Sequence, residues 1–157
     1  MKQRILFVCL GNICRSPAAD AIFHKMTSER GLASQFEIDS AGTSAAHAGE
    51  LPDPRMRRAG AERGYEMKHL SRQFRRDDYD RFDMIVVMDD TNYERVCRLA
   101  PDRESLGKVR RMADFCRKFD IRSVPDPYYN GDEGFRRVLD ILEDGCLGLL
   151  AEVTEAN

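Results

Sequence analysis

Four short strand-like runs, Arg4 to Val8, Phe36 to Asp39, Asp83 to Met88 and Lys108 to Met112, alternate along the chain with stretches of helical periodicity. Parallel strands need a long crossover between them, and a helix is the usual one, so this alternation argues for a parallel sheet with helices on its faces. The expected fold is α/β: a single-domain open parallel sheet of about four strands, helices on both faces, covering residues 1–157 as one unit. A chain of that length buries a substantial core without disulfide or metal staples.

Helix punctuation fits the same plan. A first helix is expected from Pro17 to Arg30, with Ala18, Ile22 and Met26 in one row and Gly31 as its stop; a second from Pro54 to Gly64; a third after Asp89 and Asp90, ending before Pro101. The last carries Phe135, Val138, Leu139, Leu142, Cys146, Leu149 and Leu150 at helical spacing, a core stripe.

Open parallel sheets bind ligands beyond the carboxyl ends of their strands. Cys9 ends the first expected strand, Ser40 follows the second and Asp89 follows the third, which places three polar positions on one rim. Around the first of them the sequence reads V-C-L-G-N-I-C-R-S-P, from Val8 to Pro17. A loop at a strand-to-helix junction aims backbone N–H groups at one point, where the helix adds the positive end of its dipole. Gly11 and Asn12 tolerate positive φ, Ser16 is expected as the N-cap and Pro17 as the first helical residue. The reading is a phosphate-binding loop after the first strand, made by Leu10, Gly11, Asn12, Ile13 and Cys14. Cys9, beside a helix N-terminus and Arg15, has the setting that favours a reactive thiolate, and the planar guanidinium of Arg15 matches two phosphoryl oxygens. Phosphoryl transfer onto sulfur is the chemistry this arrangement fits.

Transfer from an aryl ester also needs an acid for the leaving oxygen and then a base for water. Val124 to Gly131, V-P-D-P-Y-Y-N-G, offers Asp126 between two prolines that hold the segment extended, with Tyr128 and Tyr129 placed to wall a slot for a flat ring.

Composition excludes other classes. The formal net charge is −2, and the arginine clusters alternate with carboxylates, so no nucleic-acid partner is expected. No signal peptide and no membrane-spanning run is read, and five cysteines of scattered spacing fit a reducing compartment, so a cytoplasmic protein with no membrane association is expected. With no C-x-x-C and no histidine cluster, neither a metal nor a cofactor is expected.

Taken together, C-L-G-N-I-C-R-S at Cys9 to Ser16, D-S-A-G-T at Asp39 to Thr43, P-D-P-R at Pro52 to Arg55, H-x-S-R-Q at His69 to Gln73, M-D-x-x-N at Met88 to Asn92 and D-P-Y-Y at Asp126 to Tyr129 make the chain resemble the low-molecular-weight protein tyrosine phosphatases, over nearly its whole length. The resemblance implies Cys9 as the nucleophile that forms a phosphocysteine, Arg15 as the phosphoryl clamp, and Asp126 as general acid and then base. It implies that Ser16 hydrogen-bonds the sulfur, and that Asn12 holds the loop through a polar network with Ser40 and His69. Phosphotyrosine proteins are the implied partners, with a tyrosine kinase and its targets the natural source of them.

One departure concerns the substrate wall. The family usually carries a large aromatic between the positions of Thr43 and Pro52, followed in bacterial members by a histidine; this chain has Ala46 and then His47. A shallower cleft with weaker substrate binding is expected. Cys14, in the same loop as Cys9, is a candidate resolving thiol in a peroxide-sensitive pair. Three other activities compete with this reading. An arsenate reductase needs relay cysteines near Cys97. A protein-arginine phosphatase has a threonine where Ile13 stands. A phosphotyrosine-binding module has no use for Cys9 or Asp126.

Overall fold

The apolar run near the start of the chain becomes the central part of a sheet. In the computed structural model, which describes residues 1–155, β1 (Gln3–Cys9) lies between β2 (Phe36–Gly42) and β3 (Met84–Val87), and β4 (Val109–Arg111) pairs outside β3. All pairings are parallel and the order is β2-β1-β3-β4.

The period-2 alternation of β1 sorts its side chains between two cores. Ile5, Phe7 and Cys9 join a cluster covered by α1 (Arg15–Glu29) and the long α6 (Gly131–Glu155). Leu6 and Val8 join a second one with Tyr79 from α3 (Asp78–Arg81) and Val96 from α4 (Asp90–Arg98). Two further helices are α2 (Pro54–Ala61) and α5 (Arg103–Leu106). The α6 stripe read from the sequence is buried throughout, and each such side chain stabilises by roughly 1.5–3 kcal/mol. Among the described residues no helix is long and apolar enough to cross a membrane.

The differences from expectation have local causes. β2 runs on to Gly42, so Ser40 sits inside the strand, paired with Phe7, rather than past its end on the rim. α1 starts at Arg15, with Cys14 at the cap position and no side-chain cap, so Ser16 is not an N-cap and Pro17 is not the first helical residue. The donors a cap would take are turned toward the loop instead: the Ser16 N–H reaches the Cys9 Sγ at 3.4 Å. Of the two residues expected to tolerate positive φ, only Asn12 uses it, at φ 56°. α2 ends at Ala61 and the chain turns through to Gly64 at φ 84°. β4 gives way at Met112 to a 3₁₀ turn, Met112–Phe115. That turn, another at Ala33–Gln35, and the four-residue α3 and α5 are too short to carry a periodic signal.

Candidate active site

The β1–α1 loop is built so that its carbonyls face outward. The carbonyl of Cys9 accepts from the Thr43 N–H (2.9 Å), that of Leu10 from the Ser44 N–H (2.9 Å), that of Gly11 from the Ser71 hydroxyl (2.9 Å) and that of Ile13 from the Asp53 N–H (2.8 Å). In a trans peptide the C=O and the following N–H point in opposite directions. With the carbonyls tied outward, the N–H groups of Leu10, Gly11, Asn12 and Cys14 turn inward, around the sulfur of Cys9.

Asn12 fixes the bend. It is fully buried and holds the left-handed conformation that asparagine tolerates better than most residues. Its Nδ2 donates to the hydroxyls of Ser16 (2.7 Å) and Ser40 (3.0 Å), and its Oδ1 accepts from the Arg72 N–H (3.0 Å). The Ser16 hydroxyl lies 3.0 Å from the Cys9 Sγ. His69 is one step further out: its Nε2 meets the Ser40 carbonyl at 2.9 Å, a backbone contact behind the loop.

Behind the loop, Gly42 allows the end of β2 to press on it. A Cβ at that position would lie 2.7 Å from the Leu10 carbonyl oxygen and 2.9 Å from the Asn12 nitrogen. The segment from His69 to Phe74 forms the rear plate, bridging Gly42 through the Arg72 carbonyl and the Phe74 N–H. Arg72 in turn binds Asp39 (3.0 Å) and Asp78 (3.1 Å).

Arg15 enters from the first turn of α1 and is almost entirely buried. Its Nη1 donates to Asp89 Oδ2 (2.7 Å) and to the Val124 carbonyl (3.0 Å), while its Nη2 lies 3.7 Å from Asp126 Oδ2. Burial works against its charge, but Cys9, Asp89 and Asp126 around it raise the guanidinium pKa above its ordinary value. Asp89 does two jobs, since its other oxygen caps α4 in a capping box with Asn92.

A cleft of about 320 Å³ opens above the loop, lined by Cys9, Arg15 and Asp126 and by most of the loop. Asp126 is half exposed at its mouth, with Oδ1 taking the Tyr128 N–H at 3.1 Å. Tyr128 and Tyr129 stand edge to face on one side, ring centroids 4.9 Å apart. Ala46 and His47 also line the cleft, and His47 Nδ1 lies 3.1 Å from Glu50 Oε2. Arg55 anchors the tyrosine side: it donates to the Tyr128 carbonyl (2.8 Å), stacks over the Tyr128 ring, and is itself held by Asp53. Cys14 is buried, and burial together with the nearby Asp53 and Cys9 pushes its thiol pKa well up.

The structure therefore gathers Cys9, Leu10, Gly11, Ile13, Cys14, Arg15, Ala46, His47, Asp126, Tyr128 and Tyr129 at one cleft and places Asn12, Ser16, Ser40 and His69 behind it. Sequence reasoning missed Ser71, Arg72, Gly42, Arg55 and the Arg15–Asp89 ion pair as parts of this assembly. Their residue types were in view in the S-R of the H-x-S-R-Q stretch, the D-S-A-G-T glycine and the P-D-P-R arginine, but their contacts to the loop are long-range.

Comparison with known proteins gives the same picture. Residues 4–157 match the family model for low molecular weight phosphotyrosine protein phosphatase. The low molecular weight protein-tyrosine-phosphatase of Streptomyces coelicolor is 41% identical, aligned over 161 positions that cover 99% of this chain and 96% of that protein. The crystal structure of YfkJ from Bacillus subtilis superposes with a TM-score of 0.93 at 35% identity, covering 100% of this chain and 98% of that one. The protein tyrosine phosphatase of Entamoeba histolytica, solved with Hepes in its active site, gives a TM-score of 0.96 at 43% identity, with 99% of each chain covered. With a family model spanning nearly its whole length and relatives matched end to end, this chain belongs to the low molecular weight phosphotyrosine protein phosphatase family.

Proposed function

We propose that this protein hydrolyses phosphotyrosine in protein substrates by way of a phosphocysteine, with Cys9, Arg15 and Asp126 as the residues that touch the reacting group. The observation that carries this reading is the convergence, in one cleft, of the Cys9 sulfur at the head of a loop whose carbonyls are tied outward, a buried guanidinium and a carboxylate at the mouth. Cys9 Sγ attacks phosphorus in line with the aryl oxygen; the S–P bond forms as the P–O bond breaks, and Asp126 gives its proton to the departing phenolate oxygen. The equatorial oxygens gain charge-assisted bonds from Arg15 and from the loop N–H groups, which are fixed before substrate arrives. Asp126, now a carboxylate, takes a proton from the water that attacks the phosphocysteine. The Ser16 hydroxyl, 3.0 Å from Sγ, stabilises the sulfur as it leaves.

The cleft suits a phosphorylated aromatic ring, with Tyr128, Tyr129 and the methyl of Ala46 in its lining. An arsenate relay finds no support in the cysteines: Cys97 is half-buried against the core on the opposite face of the sheet from Cys9. The natural setting of this activity is the cytoplasm, opposite a tyrosine kinase. Cys14 is the candidate partner for Cys9 in reversible oxidation.

Hydrolysis of p-nitrophenyl phosphate and phenyl phosphate tests the assignment. Cys9→Ser is expected to remove turnover of both while the protein stays folded. Asp126→Asn is expected to lower kcat by about 10²–10⁴-fold, more for phenyl phosphate, whose leaving group depends more on protonation. Undiminished turnover by Cys9→Ser protein overturns the mechanism.

A further inference from the structure

The segment that carries Asp126 hangs from few points. Val124 is tied on both sides, its N–H to the Met88 carbonyl (2.8 Å) and its carbonyl to Arg15 (3.0 Å). Beyond it, among the described residues, one hydrogen bond reaches residues 125–130 from another element of the fold: Arg55 Nη1 donates to the Tyr128 carbonyl at 2.8 Å. The direct contact of Asp126 with Arg15 is longer, at 3.7 Å.

We propose that Arg55 is a positioning residue for the proton-transfer step, and that with Asp53 it sets where the Asp126 carboxyl stands over the phosphate loop. The inference rests on the phosphatase reading above. Tyr128 is the link on one side. Its N–H donates to Asp126 Oδ1 at 3.1 Å while its carbonyl accepts from Arg55, so one residue carries the position of the guanidinium to the carboxyl. The phosphate loop is the other end of the bridge. The Asp53 N–H donates to the Ile13 carbonyl at 2.8 Å, and the Asp53 carboxylate takes the Nε and Nη2 edge of Arg55 at 3.1 and 2.8 Å.

Little in this bridge is free to move. Asp53 is buried and stands between Pro52 and Pro54, which restrict the backbone on both sides of it. The guanidinium lies 4.9 Å from the centroid of the Tyr128 ring and 4.8 Å from that of Phe135, within cation–π distance of both, and Phe135 is fully buried on α6. A planar cation with a fork of donors meets a carboxylate along one edge, a carbonyl at its remaining nitrogen and rings on its surface; an ammonium, a point charge, does not match all of these. A general acid works only within hydrogen-bond reach of the oxygen it protonates, so a carboxyl that is half exposed depends on what orients it.

The test is the dependence of kcat/KM on the leaving group, measured with aryl phosphates whose phenols range from p-nitrophenol to phenol. An acid in position evens out the esters; a displaced one slows those with poor leaving groups. Arg55→Met keeps the aliphatic stem and the backbone N–H that Asp53 accepts at 2.8 Å, so α2 keeps its start. It is expected to lower kcat/KM for phenyl phosphate by about 10²-fold, the scale of a misplacement of about 1 Å, and for p-nitrophenyl phosphate only a few-fold. Arg55→Lys is expected to behave like Arg55→Met. Asp53→Asn, which still caps α2, is the second variant and is expected to steepen the same dependence more mildly. On an Asp126→Asn background, Arg55→Met is expected to change little further, because its effect passes through that carboxyl. An equal loss for all esters, an unaltered leaving-group dependence, full activity in Arg55→Lys, or an undiminished further loss on Asp126→Asn overturns the proposal. Folded wild-type protein that leaves p-nitrophenyl phosphate intact overturns the phosphatase reading instead.

Discussion

The two halves of the cleft are held in opposite ways. On the phosphate side the carbonyls of Cys9, Leu10, Gly11 and Ile13, both ends of the Asn12 amide and the Arg15 guanidinium are tied down, most of them in the buried interior. On the leaving-group side, Asp126 is half exposed, Tyr129 is 91% exposed, and the segment is held chiefly by Arg55 and its own turn. The difference follows what each half must recognise. The charge of a transferring phosphoryl group has one geometry, and donors that are already in place stabilise it without reorganising. The aryl group and the peptide around it vary, and a loop with few fixed contacts adapts to them.

Several substitutions break or sharpen that contrast. The largest effect is expected from Asn12→Ala, which removes three hydrogen bonds and leaves alanine at φ 56°. Loss of kcat on the order of 10²–10³-fold is expected, the scale of a lost oxyanion donor, together with a fall in thermal midpoint. Steady-state kinetics and thermal melting measure both; a variant with wild-type kcat shows that the rigid side is not rigid through Asn12. Next comes Gly42→Ala, which forces the Leu10 and Asn12 backbone to shift. A misplacement approaching 1 Å costs about 10²-fold in rate, so kcat is expected to fall by that order, together with a lower melting midpoint, since overpacking costs about 1–3 kcal/mol.

The base of the exposed half gives a smaller, pH-dependent effect. Asp144 on α6 accepts the N–H groups of Arg117, Lys118 and Phe119 and so pins the start of the segment that leads to Asp126. Burial works against its charge, but these N–H groups prevail and hold its carboxyl below the ordinary carboxylate range. A depressed folded-state pKa contributes stability above the unfolded pKa and loses it as pH falls through the folded value. Asp144→Ala is therefore expected to cost about 1–3 kcal/mol near neutrality, and its melting gap to wild type to narrow below about pH 4. A gap that is constant with pH refutes the account. The smallest effect is expected on the adaptable side, where Ala46→Trp restores an aromatic face and tightens aryl phosphate binding by about 1 kcal/mol, read as a several-fold lower KM. An unchanged KM means that Ala46 does not set the depth of the cleft.

This contrast also explains what the sequence reveals. The Cys9 loop is contiguous, so its strand, bend and arginine are legible from local chemistry, and α6 is legible from its period. Asp126 is legible because two prolines dictate its backbone. Ser16 was misread as a cap because a first-turn serine usually serves the helix; here the helix begins earlier and the hydroxyl faces sulfur. The rear plate was not legible as structure: His69 to Phe74 has no apolar period, and its order comes from partners such as Asn12, 60 residues away from Arg72. Asp89 is legible as a polar position just past the third strand, yet its ion pair with Arg15 spans 74 residues and leaves no local trace.

Arg15 makes the assembly conditional on the whole chain. One guanidinium joins the start of α1 to the end of β3 and, through the Val124 carbonyl, to a segment 109 residues away. No fragment that lacks the last third of the sequence can complete that three-way junction. Catalysis by this protein is consequently a readout of finished folding: turnover during refolding cannot return before the chain has closed from its first loop to Val124.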